Sequence, residues 1–133
     1  MATKAAFDDV TRDCVGVVHV ASVTTLSPDP HEVITPSIAG AINALEAATK
    51  AGSVKRFVYC SSIAAALSPN RSTKSETTSE SWNMLDFDEA WAPPPYDPGR
   101  TAAVQASAKM QTEAAIWRWY GRTRPNYVLN AGK

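Results

Sequence analysis

Three short, nearly continuous apolar runs constrain the fold of this chain more than any other feature: GVVHVAS (residues 16–22), VKRFVYCSS (54–62) and NYVLN (126–130). Runs rich in β-branched residues with little polar alternation are the signature of strands buried on both sides, as in parallel sheets. The stretches between them are too long for hairpins. The first carries Ile34, Ile38, Ala41, Leu45 and Ala48 at helical spacing. The second carries a helix from Ala102 to about Tyr120, with Lys109, Ile116 and Tyr120 among its spaced positions. Strand, helix, strand, helix, strand with long connections predicts parallel pairing through crossovers. The expected class is α/β, with about three parallel strands and two main helices in one domain over residues 1–133.

Punctuation residues refine that outline. Pro36 is placed near the start of the first helix, where a missing N–H is tolerated. Gly52, just after Lys50, is a C-cap, because glycine accepts the left-handed conformation. A polar and Pro-rich loop is expected over about 68–101, including SPNRSTKSETTSES and WAPPPYDPG. In LDFDEAW, Asp86, Asp88 and Glu89 read as loop solvation or a helix N-terminal charge bias, and not as a metal site, since no histidine accompanies them. His19 reads as a packed or surface histidine within its strand.

Composition narrows the function classes. Thirteen basic and thirteen acidic side chains cancel, so nothing electrostatic argues for nucleic acid or an anionic membrane. No apolar run has membrane-spanning length and the N-terminus has no secretory h-region, so a cytoplasmic protein is expected. Cys14 and Cys60 have neither metal-ligand nor disulfide-scaffold spacing. Two crossovers stepping in one direction would put both helices on one face of the sheet. Apolar side chains would then remain on the other face, and strand edges invite pairing, so a homo-oligomer through the bare face or the first strand's edge is an expected partner.

The same blocks, GVVHVAS, DPHEVITPSIAGAINALEAATKAGSVKRFVYCSS, AWAPPPYDPGR and KMQTEAAIWRWY, resemble the middle of an extended short-chain dehydrogenase/reductase. The branch they resemble most is that of the fungal NADPH-dependent carbonyl reductases, related to plant dihydroflavonol and cinnamoyl-CoA reductases. The resemblance covers nearly the whole chain. It implies a partial Rossmann-like, doubly wound fold and hydride transfer from a nicotinamide to a ketone or aldehyde.

Site residues follow from the resemblance. Val20, Ala21 and Ser22 would lie by the nicotinamide ribose, at a strand's carboxyl end where such ligands sit; the plain alternative is a strand-to-loop turn capped by Ser22. Ser62 would hold the substrate carbonyl oxygen, whereas the plain reading is a strand-end serine satisfying loose backbone groups. Lys109 matches the lysine of the family's Tyr-x-x-x-Lys motif, which binds the ribose and lowers the tyrosine's pKa. The tyrosine position, one turn earlier on the same helix face, is Gln105 here. A glutamine amide donates hydrogen bonds but delivers no proton at neutral pH. No tyrosine lies between Asp97 and Trp119 to replace it, and Tyr96 has no lysine four residues on.

The family's Gly-x-x-Gly-x-x-Gly phosphate turn is not found: Gly16, Gly40 and Gly52 are isolated. The N-terminal dinucleotide-binding strands and the C-terminal substrate lobe are also expected to be absent. These losses imply a truncated, degenerate relative of NAD(P)-dependent carbonyl reductases, without independent redox activity and with no cofactor of its own, although the family uses NADP(H). The alternative is a repurposed fold. It would self-associate or bind a partner, or act as a non-redox catalyst on a small molecule at the strand ends through Ser62, Gln105 and Lys109.

Overall fold

The computed structural model describes residues 3–68 and 76–132. Its elements follow the expected alternation. Strand β1 (Gly16–His19), helix α1 (Pro30–Ala51), strand β2 (Arg56–Cys60), helix α2 (Met84–Ala90), helix α3 (Thr101–Thr123) and strand β3 (Val128–Gly132) succeed one another, with single 3₁₀ turns at Ile63–Ala65 and Pro98–Arg100. The strands form one parallel sheet in the order β1-β2-β3.

Register divides the sheet into two unlike faces. Val17, Phe57 and Leu129 lie side by side, as do His19, Tyr59 and Ala131. This row faces the helices. Phe57, Tyr59 and Leu129 pack with Ala41, Leu45 and Ala48 of α1 and with Ile116 of α3 in a single buried cluster. The shared cluster puts both long helices on the same side. The opposite row holds Arg56 beside Val128, and Val18 beside Val58 and Asn130. There Val18 is 66% and Val128 50% exposed. A parallel sheet covered on one side only is unusual, and the described residues leave this side open.

The helix ends have local causes. Asp29 caps α1 by accepting from the His31 N–H at 2.8 Å, and Pro30 occupies the first turn, where its missing donor costs nothing. The helix therefore begins six residues before Pro36. That proline lies in the helix interior rather than near the start, as the sequence had suggested. Burial of Pro30, Val33 and Ile34, the last two against Val104 and Ala108 of α3, explains why the helix continues through it. Gly52 ends α1 at φ 71°, as expected. Its strands are shorter than the apolar runs: β1 stops at His19, and Val20–Ser22 is irregular.

Two further departures concern the expected loop over 68–101. Within it α2 forms a third helix, and Pro98–Arg100 makes a 3₁₀ turn inside the proline-rich stretch. Part of the loop, residues 69–75, lies outside the described residues. The Asn83 side chain caps α2 by accepting from the Asp86 N–H, and Asp86 in turn accepts from Asn83 Nδ2 at 2.6 Å and Ser68 Oγ at 2.8 Å. Asp86 is thus a buried acidic residue in the first turn of α2, the helix-terminal reading rather than loop solvation; Asp88 and Glu89 are exposed. No helix among the described residues is long and apolar enough to cross a membrane.

Candidate functional site

The carboxyl ends of β1 and β2 open onto a cavity of about 340 Å³. Ser22, from the segment after β1, and Ser62, from the segment after β2, meet Gln105 and Lys109 of α3 there. Thr24 adds a hydroxyl, while Ala64, Ala102 and Ala106 supply small apolar walls. Residues 80 or more positions apart are brought together because both strands end on the same side of the sheet and α3 runs past that end. Val20 and Ala21 do not line the cavity; both are exposed. Thr24 escaped the sequence reading, since nothing in TTLSPDP sets one hydroxyl apart from the next.

The side chains differ in how far they are already engaged. Ser62 Oγ accepts from the Ala64 N–H at 3.2 Å and starts the 3₁₀ turn at Ile63–Ala65. The plain reading of Ser62 is therefore correct as far as it goes. The bond uses a lone pair only, so the hydroxyl proton remains free to donate to a ligand oxygen. Its neighbour Ser61 points the other way, is buried, and donates to the Glu113 carboxylate. Gln105 Nε2 is buried without a hydrogen-bond partner among the described residues. An orphaned buried donor carries a desolvation cost of about 1–3 kcal/mol, which a ligand acceptor would relieve.

Lys109 Nζ donates to the Cys60 carbonyl at 3.0 Å and lies 5.6 Å from the centre of the Tyr59 ring. Burial holds its amine below the usual lysine range, with the nearby Cys60 thiol acting weakly in the opposite direction. No carboxylate forms an ion pair with it among the described residues. Glu113 stands one turn further along α3, yet its oxygens meet Ser61 and the Trp117 indole N–H (3.4 Å).

Tyrosines elsewhere do not replace the missing phenol at position 105. Tyr59 is buried beneath Lys109, and burial pushes its hydroxyl well above the usual tyrosine range, making it a poorer acid. Tyr96 stacks under the Arg100 guanidinium at 5.4 Å and takes no part in the cavity. His19 is buried between the rings of Phe7, Phe57 and Tyr59; it is the packed histidine of the two readings. A larger cavity of about 680 Å³ is bordered by Glu113, Trp117, Trp82, Ile63 and residues 77–80. Its one buried carboxylate is already hydrogen-bonded, whereas the smaller cavity gathers several donors at the strand ends.

The family model for 3-beta hydroxysteroid dehydrogenase/isomerase matches residues 1–96. Aldehyde reductase 2 of Sporidiobolus salmonicolor is 39% identical over 98% of this chain and 38% of its own length. The NAD-dependent epimerase/dehydratase tndE of Aspergillus flavipes is 37% identical over 98% of this chain and 37% of its own length. Among solved structures, yeast methylglyoxal/isovaleraldehyde reductase Gre2 complexed with NADPH superposes with a TM-score of 0.73 at 25% identity, over 98% of this chain and 40% of that one. The chain thus spans a little over a third of the length of the curated relatives it matches.

Proposed function

Since the chain belongs to the 3-beta hydroxysteroid dehydrogenase/isomerase family, we propose that its strand-end cavity is the carbonyl end of a nicotinamide-dependent reductase site that has lost its proton donor. The meeting of Ser62, Gln105 and Lys109 in one cavity carries this reading. The name of one relative, an aldehyde reductase, supports the carbonyl as substrate class, and that of another, an NAD-dependent epimerase/dehydratase, supports the nicotinamide.

In this site Ser62 O–H and Gln105 Nε2–H would direct two donors at a carbonyl oxygen. Both stabilise negative charge developing on that oxygen. Neither delivers a proton to the alkoxide. General acid catalysis is worth about 10²–10⁴-fold, so its loss leaves a slow site at best.

The residues suit one end of NAD(P) only. Lys109 and Ser22, which line the same cavity, would meet the ribose hydroxyls, and the cofactor would supply the hydride. For the pyrophosphate, the described residues offer no Gly-rich turn between a strand and a helix. The N-terminus of α1 is taken by the Asp29 carboxylate, which disfavours a second anion.

The reading predicts weak NADPH and NADP⁺ binding by isothermal calorimetry and no NADPH oxidation with a simple ketone above background. Gln105→Tyr alone should not restore turnover, because it adds an acid without adding a phosphate site. Submicromolar nucleotide binding, or turnover by that variant, would overturn the reading.

A further inference from the structure

We propose that Lys109 forms Schiff bases with small aldehydes that enter the strand-end cavity. This is a nucleotide-free activity, separate from hydride transfer, and it does not depend on the reductase reading.

The geometry carries it. Imine formation needs an amine that is neutral some of the time, room for the carbonyl compound, and donors for the carbonyl oxygen. Lys109 Nζ meets only neutral partners, the Cys60 carbonyl and the Tyr59 ring, and no carboxylate among the described residues fixes its charge. The groups around it are the Cys60 thiol, Tyr59, His19 with its own pKa lowered, and Glu113, which is bonded to Ser61. Burial favours the free amine of Lys109. Lys50, by comparison, is an exposed lysine that forms an ion pair with Asp8. Each unit of lowering raises the free-amine fraction about tenfold at neutral pH. The same cavity is lined by Ser62, whose Oγ has an unspent proton, and by Gln105, whose Nε2 has no hydrogen-bond partner among the described residues. With alanines at 64, 102 and 106, about 340 Å³ admits a small aromatic or aliphatic aldehyde.

The step balances without a redox partner. The Lys109 lone pair attacks the carbonyl carbon and forms a C–N bond. The carbonyl π pair moves to oxygen, where Ser62 and Gln105 hold it until a solvent proton arrives. The nitrogen releases one proton to solvent, giving the carbinolamine; its hydroxyl, protonated by solvent, leaves as water while the nitrogen lone pair forms the C=N bond, and the iminium gives up the second nitrogen proton to solvent. Amine and aldehyde become imine and water.

The test uses the intact chain with benzaldehyde and sodium cyanoborohydride near neutral pH, followed by peptide mapping. Hydride from the borohydride converts the imine to a stable secondary amine. The expected result is benzylation concentrated at Lys109. Lys109→Arg, with an unchanged circular dichroism spectrum, should remove that adduct, while Lys50→Arg should leave it. Label spread over the lysines in step with their exposure would overturn the proposal, as would a main adduct that survives Lys109→Arg. Should the fold not tolerate Lys109→Arg, mapping of the wild-type adduct decides alone. Nucleotide calorimetry reads the reductase proposal separately, so either idea can fail without the other.

Discussion

Ser62, Gln105 and Lys109 stand out in the sequence through its resemblance to the reductase family, and Gln105 and Lys109 share a helix face because a four-residue step stacks side chains whatever the rest of the fold does. What each side chain is already bonded to was not recognisable. Ser61 and Ser62 are adjacent serines, yet one donates to a buried glutamate and the other caps a turn next to the cavity. Strand alternation separates them, and only the placement of α3 gives each side its partner. His19 shows the same division. Its burial among Phe7, Phe57 and Tyr59 lowers its pKa, chiefly by desolvation and further by Lys109. The folded chain therefore resists a proton that the unfolded chain accepts near pH 6.5. Above that pH the group has no effect on relative stability; below it, stability falls as pH drops towards the folded pKa. Urea midpoints measured from about pH 7.5 to about pH 5 should decline in the wild type, with less of that slope in His19→Gln. Equal slopes in the two proteins would contradict this assignment.

Elements were legible where one physical rule acts alone. The stop at Gly52 follows from glycine's freedom at positive φ, and α1 ends there at 71° with open space around the missing side chain. Gly52→Ala should therefore cost about 1 kcal/mol through backbone strain without a clash. At the end of α3, Arg124 takes the same left-handed conformation at φ 48° with a side chain to accommodate. Arg124→Gly should thus be neutral to stabilising. Thermal unfolding of the pair should move in opposite directions, and a loss for both would mean the Arg124 side chain contributes more than its backbone costs. Prediction failed where two rules compete. Pro36 argues for a helix start, but Asp29, Pro30 and the contact of Val33 and Ile34 with α3 extend the helix past it. Helix α2 was placed within the expected loop because its two buried residues are the charged Asp86 and the small Ala90, while Met84 and Leu85 are exposed, so no apolar period marks the seven residues.

At the scale of the whole molecule the outer sheet face stands out, because the described residues leave it open. Val18 and Val128 are half or more exposed on it, flanking Val58 and the Arg56–Asn130 hydrogen bond (3.0 Å). We propose that at high micromolar concentration a second copy covers this face, and that Val18→Lys weakens the association. A monodisperse monomer by analytical ultracentrifugation would remove the idea. The sequence alone determined the parallel α/β plan and the alternation of its strands and two long helices along the chain. Apolar periodicity and crossover length are local properties of the chain and need no knowledge of what lies opposite. Only the tertiary structure decided that Ser22, Thr24, Ser62, Gln105 and Lys109 share a cavity, that Val20 and Ala21 do not, and that Lys109 has no carboxylate partner among the described residues. Those facts depend on strand register and on the position of α3 across the sheet, which the packing of Ile116, Phe57 and Leu129 sets over long stretches of chain.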